Sequence, residues 1–119
     1  MAQKYIIDDI VMYKNRIHTI IDTLGLNNYE LSYVRHSVNQ AELSGVPLTP
    51  EILKKNGWKS INGKKYALKI KNANYLVLDF TEDGIYAYIN ERTMLFVIKY
   101  VNELQHLLFG LGLNSEMAV

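Results

Sequence analysis

An α+β fold is predicted by three features of this 119-residue chain. Its first third is dense in β-branched and aromatic residues and is broken by turn signals. One stretch, LTPEILKKNGW, carries a full set of helix start and stop signals. After Trp58 the apolar period becomes two, and a helical period returns only near the end. The expected arrangement is a small antiparallel β-barrel-like N-terminal part, a short helix, an antiparallel β-meander and a C-terminal helix. One compact domain over 1–119 is expected, with the β part at 1–45 and the rest at 46–119.

In order along the chain, Lys14-Asn15-Arg16 and Gly25-Leu26-Asn27-Asn28 read as turns between strands near 9–14, 17–24 and 29–34. A helix across 5–21 is the competing reading, because Ile6, Ile10, Tyr13, Ile17 and Ile20 fall at helical spacing. Asn15, Thr19 and Thr23 are poor helix formers and favour the strands. Residues 35–48 read as a connection with a single turn at Ala41–Leu43. Thr49 then offers an N-cap, Pro50 the first helical position, Glu51 a favourable first-turn charge, and Asn56-Gly57 a left-handed stop. A helix over 50–55 follows, burying Ile52 and Leu53.

KKYALKI, YLVLDF and GIYAYIN alternate and predict strands near 65–70, 75–80 and 84–90. Lys71-Asn72-Ala73-Asn74 and Thr81-Glu82-Asp83-Gly84 are short enough to make these a meander. Asn62-Gly63 offers a further turn that would let Lys59–Ile61 pair as an extra strand. Val97, Val101, Leu104, Leu108 and Leu111 recur at helical intervals, although Thr93–Val97 reads equally as a strand leading into that helix. Gly110 and Gly112 end it, leaving a tail, NSEMAV, expected to fray. Either two antiparallel sheets or one composite sheet accommodates these elements.

Composition excludes several function classes. The chain has no cysteine, so disulfides, thiolate metal sites and cysteine nucleophiles are absent. No apolar run approaches the ~20 residues of a membrane span, and Asp8 and Asp9 interrupt the N-terminus before a signal-peptide core can form. The expectation is a soluble cytoplasmic protein with no membrane partner. His18, His36 and His106 lie in three different elements without metal-ligand spacing. Asp8-Asp9 and Glu82-Asp83 are adjacent in sequence, so their side chains diverge, and they read as a strand start and a hairpin tip. Ser44-Gly45 lacks a nucleophile elbow, and Gly110-Leu111-Gly112 lacks the context of a phosphate loop. No catalytic residue, metal ligand, cofactor or small-molecule substrate is expected.

Charge is the informative feature. Net charge is +1, yet residues 54–78 hold Lys54, Lys55, Lys59, Lys64, Lys65, Lys69 and Lys71 with no acidic residue. Residues 1–53 hold four basic against six acidic groups, and residues 79–119 two against six. A local positive field steers partners even when net charge is small. The lysines interleave with Trp58, Tyr66 and Tyr75, the mixture that holds phosphates through ammonium groups and bases through aromatic faces. Within KKYALKI, Lys65, Ala67 and Lys69 face one way and Tyr66, Leu68 and Ile70 the other. The plainer reading is a solvated sheet face whose lysines blunt an edge strand. Tyr86 and Tyr88 share a strand face and Tyr100 opens the last helix; such tyrosines serve either as core cover or at protein interfaces.

Three stretches carry a resemblance: IDDIVMYKNRIHTIIDTLGLNNYELS, GVPLTPEILKKNGW and KYVNELQHLLFGLGL. In this order they resemble the opening, the "PLTPEIL…GF" segment and the "KYVHELQNLYFALTG" ending of small proteins of Bacteroidetes phages and mobile elements. Asn102 stands where a histidine is common, and Leu111-Gly112 where Thr-Gly is usual, so no role of that histidine carries over. The resemblance implies a phage or mobile-element origin and this shape, not an activity. Phage-borne proteins of this size are frequently non-enzymatic inhibitors of host machinery, with anti-CRISPR proteins the familiar example, and by that analogy such a binding role is expected. The partner expected on that analogy is a host RNA-guided defence nuclease or its guide RNA, blocked by occlusion. A general nucleic-acid-binding accessory module is the alternative, and a small enzyme with a site assembled from scattered residues is a third.

Overall fold

The computed structural model describes residues 4–71, 74–90 and 92–119. The chain divides into two compact units, one of residues up to Pro47 with Tyr100–Glu116, the other of Leu48–Lys99 with Met117–Val119. Each is built on a five-stranded antiparallel sheet and one helix. The C-terminal helix thus belongs with the first sheet, not with the meander that precedes it in sequence. No helix among the described residues is long and apolar enough to cross a membrane.

In the first unit β1 (Ile10–Tyr13), β2 (Arg16–Leu24) and β3 (Asn28–Leu31) form the predicted strands, and the helix weighed over 5–21 is absent. Lys14 and Asn15 both take positive φ, 48° and 63°, between the paired residues Tyr13 and Arg16. That is the mirror-image two-residue turn whose twist matches the strands it joins. Residues 35–48 are more than a connection. They contain β4 (Val38–Asn39), a 3-10 turn (Gln40–Glu42) and β5 (Leu43–Gly45). These strands are too short to show a period, and β5 is held by pairing with distant β1, Tyr13 opposite Leu43. The order is β4-β3-β2-β1-β5, and its two end strands do not pair with each other, so no barrel closes among the described residues. The core gathers Tyr5, Val11, Tyr13, Ile20, Tyr29, Leu31, Val38 and Leu43. The Tyr29 hydroxyl accepts from the Tyr5 N–H and donates to Gln40 Oε1 at 2.7 Å, joining the N-terminal segment to the 3-10 turn.

In the second unit α1 (Pro50–Lys55) has the predicted boundaries, with the Thr49 hydroxyl accepting from the Ile52 N–H at 3.3 Å. Burial of Leu53, at 0% exposure, contributes about 1.5–3 kcal/mol, more than the roughly 1 kcal/mol of such a cap. Packing therefore outweighs the cap in holding this short helix. Gly57, at φ 86°, reverses the chain so that its N–H donates to Lys54 O and that of Trp58 to Leu53 O. Then come β6 (Lys59–Ser60), β7 (Lys65–Lys69), β8 (Tyr75–Thr81), β9 (Gly84–Ile89) and β10 (Thr93–Ile98), in the order β10-β9-β8-β7-β6. Of the turn predicted at 71–74, Asn72 and Ala73 lie outside the described residues.

The last apolar stretch divides where the two readings of 93–97 competed. Thr93–Ile98 is a strand against β9, and α2 begins at Val101 and ends at Gly110. Val97 therefore lies outside the helix. Glu103 accepts from the Tyr100 N–H at 2.9 Å, which fixes that start. The tail does not fray at Ala118: its N–H donates to Asn56 Oδ1 at 2.9 Å and its carbonyl accepts from Asn56 Nδ2 at 2.8 Å.

Gly45 lies against the ring of Tyr100, where an added Cβ would come within 2.5 Å of Cγ. The obstructing atoms are at the base of the side chain and cannot swing away. Gly45→Ala is expected to destabilise by about 1–3 kcal/mol in urea unfolding. Gly110→Ala, where nothing stands within 4 Å, is expected to be neutral or to stabilise by up to about 1 kcal/mol.

Candidate functional site

The pleat of β7 sorts the lysine-rich segment. Tyr66 is opposite Leu78 and Leu68 opposite Leu76, while Lys65, Ala67 and Lys69 on the other face are opposite Asp79, Val77 and Tyr75. Lys59 of β6 is opposite Ala67, so Lys59, Lys65 and Lys69 surround that alanine on one sheet face. Lys59 and Lys69 are exposed and Lys65 is half-buried. Lys64 precedes Lys65 in a turn held by Asn62, whose Oδ1 accepts from both lysine N–H groups at 3.1 and 3.0 Å. Lys71 follows the end of β7, and Lys54 and Lys55 sit exposed in the last turn of α1, where they complement the helix dipole. The structure thus brings three of the seven lysines together on the sheet face.

The aromatic residues sort differently. Trp58 and Tyr66, expected as partner-binding side chains, are only 4% and 3% exposed. They are core residues. Trp58 directly follows the left-handed glycine of the α1 stop, a position that turns an apolar side chain back toward the last turn of its helix, where Leu53 is buried. Tyr66 points to the buried face and meets Phe80 edge-on at 5.6 Å. Tyr75 remains, 43% exposed on the lysine-bearing face. Tyr88, opposite Val77, is half-buried there, and Tyr86, opposite Asp79, likewise.

Between these groups lies a concavity of about 410 Å³ lined by Ile61, Ala67, Tyr75, Val77 and Asn90. Val77 is 2% exposed, and the small Ala67 beside it leaves the space open. Asn90 takes φ 53° and brackets Tyr75: its N–H donates to Tyr75 O at 2.9 Å and its Oδ1 accepts from Tyr75 N–H at 2.8 Å. Its Nδ2 donates to Asn74 Oδ1 at 2.7 Å. Ile61, Ala67, Val77 and Asn90 were not singled out by sequence reasoning. The alternation around Ala67 was the available signal, but the opposing strand register was needed to find the hollow.

A second polar feature lies in the first unit. Asp9, 2% exposed, accepts at Oδ2 from His106 Nε2 at 2.7 Å and from the Ile6 N–H at 3.0 Å. Gln105 next to His106 accepts from the Ile10 N–H and donates to Asp8 O, at 2.9 and 3.0 Å. These contacts clamp α2 to the start of β1, pairing residues 95 and 97 apart that no local spacing connects. Among the described residues no hydroxyl is hydrogen-bonded to the other ring nitrogen of His106. His18 holds Ser32 O through Nδ1 at 2.8 Å, and His36 is exposed. Among the described residues no group of three or more His, Asp or Glu is arranged to hold a metal ion. No family model, curated protein or solved structure matches the chain.

The bond to Asp9 holds His106 protonated to higher pH than an ordinary histidine, against the opposing effect of burial. Because the folded pKa is raised, the pair's stabilisation is full below the unfolded value of about 6.5 and is lost as pH rises through the folded value. Urea midpoints of the wild type are expected to fall across that window relative to His106→Asn. Parallel midpoints in the two proteins would show that His106 contributes no pH-dependent stability.

Proposed function

We propose that this chain is a non-enzymatic binding protein that engages a polyanion through the β6–β8 face of its second unit. The observation that supports this is the convergence of Lys59, Lys65 and Lys69 around Ala67, with the exposed Tyr75 alongside. Lys59 and Lys69 have no ion pair among the described residues, so their charge is directed to solvent or a partner. Ammonium groups on one face neutralise several phosphates at once, and released counterions drive the association.

The resemblance to small proteins of phages and mobile elements extends this reading to a particular partner. The polyanion is then the guide RNA of a host RNA-guided defence nuclease, and the mechanism is occlusion. Nothing is turned over, so inhibition is stoichiometric. Cleavage by the guide-loaded nuclease, titrated with the chain, should cease near molar equivalence. Inhibition at far lower dose would contradict occlusion. A general nucleic-acid-binding module differs in binding free RNA or DNA with no nuclease present.

Both forms of the reading predict the same response to charge reversal. Lys59→Glu with Lys69→Glu should weaken binding to single-stranded RNA and lower the slope of log affinity against log salt by about 1 per lysine. The urea midpoint should stay near that of the wild type, since both side chains are exposed. Unchanged affinity and slope would remove this face from the interaction.

A further inference from the structure

We infer that the hollow beside Tyr75 is a nucleobase pocket that takes one unstacked base of a single strand while Lys59 and Lys69 hold the neighbouring phosphates. This deepens the polyanion reading and rests on it. A lysine face alone requires only charge in its partner, and a smooth surface would serve as well. Here the face is instead hollowed at its centre.

The volume, about 410 Å³, falls within the ~300–1,000 Å³ typical of small-ligand sites. Its floor is Val77 and Ala67, and Ile61, 50% exposed, and Tyr75, 43% exposed, bound it. An aromatic ring with an aliphatic side chain suits a flat apolar object, and a base offers two such faces. The polar group in the lining is the Asn90 amide. Among the described residues one of its two N–H groups is used by Asn74 and one of its two oxygen lone pairs by Tyr75, which leaves one donor and one acceptor for the edge of a base. The cations flank the hollow in register, Lys59 across from Ala67 and Lys69 across from Tyr75. An apolar centre with charge on two sides matches the alternation of base and phosphate along a strand. The backbone of Tyr75 is also fixed beforehand, because Asn90 bonds both of its polar groups. Less conformational entropy is then lost on stacking.

The experiment compares a short fluorescein-labelled oligouridylate with the same backbone made abasic, by anisotropy on the full chain. The base-bearing strand is expected to bind about 10-fold or more tightly, the size of one stacking contact. Ala67→Leu, which fills the hollow, and Tyr75→Leu, which removes the aromatic face, should each abolish most of that preference and leave abasic binding intact. Urea midpoints near wild type would show that both variants fold. Equal affinity of the wild type for the two strands would overturn the pocket while leaving the lysine face standing. Failure to bind either strand would overturn both. A preference that persists in both variants would place the base elsewhere and overturn the assignment. Tighter binding of an acidic peptide with a central phenylalanine than of either strand would assign the hollow to a protein side chain, and also overturn it.

Discussion

The face proposed for binding depends on the inward turn of Tyr66. Successive side chains on a strand alternate sides, so once that ring is buried against Phe80, Lys65, Ala67 and Lys69 must emerge on the other face. A slip of one residue would bring lysines to the buried side and expose the tyrosine, and burying unpaired ammonium groups costs several kcal/mol. The opposing strand enforces the same choice through Leu76 and Leu78, both at 0% exposure. Apolar burial thus sets the register, and the register places the cations.

The first unit solves a different problem with a polar device. α2 must be joined to a sheet whose strands come from the other end of the chain. Its apolar side supplies Val101, Leu104, Leu107 and Leu108, while Gln105 and His106 satisfy the backbone and the carboxylate at residues 6–10. Apolar contact is non-directional, whereas hydrogen bonds fix orientation. A buried carboxylate is tolerated because it is bonded to both an imidazole and a backbone N–H.

Local signals were legible in the sequence and distant pairings were not. The boundaries of α1 follow from Thr49, Pro50 and Asn56-Gly57, all within its own span, and the meander follows from alternation and short turns. β5 could not be read, because three residues carry no period and its partner β1 lies some thirty residues upstream. The stretch 93–98 fits two periods, and pairing with β9 decides between them. The lysine-rich segment was visible from composition, and so was the division of β7 into two faces. The aromatic residues beside it were harder to place. Trp58 is buried by a helix stop and Tyr66 by the pleat, so only Tyr75 of the three remains on the surface. The hollow itself depends on which residues stand opposite Ala67, which the sequence does not state.

The most direct test of the central claim is to map the surface perturbed by single-stranded RNA, using backbone amide NMR shifts of the full chain during titration. The account predicts that the largest shifts fall at Lys59, Ile61, Ala67, Lys69, Tyr75, Val77 and Asn90, and that the first unit stays nearly silent. Shifts centred instead on the first unit, for example around the 3-10 turn at Gln40–Glu42, would contradict it.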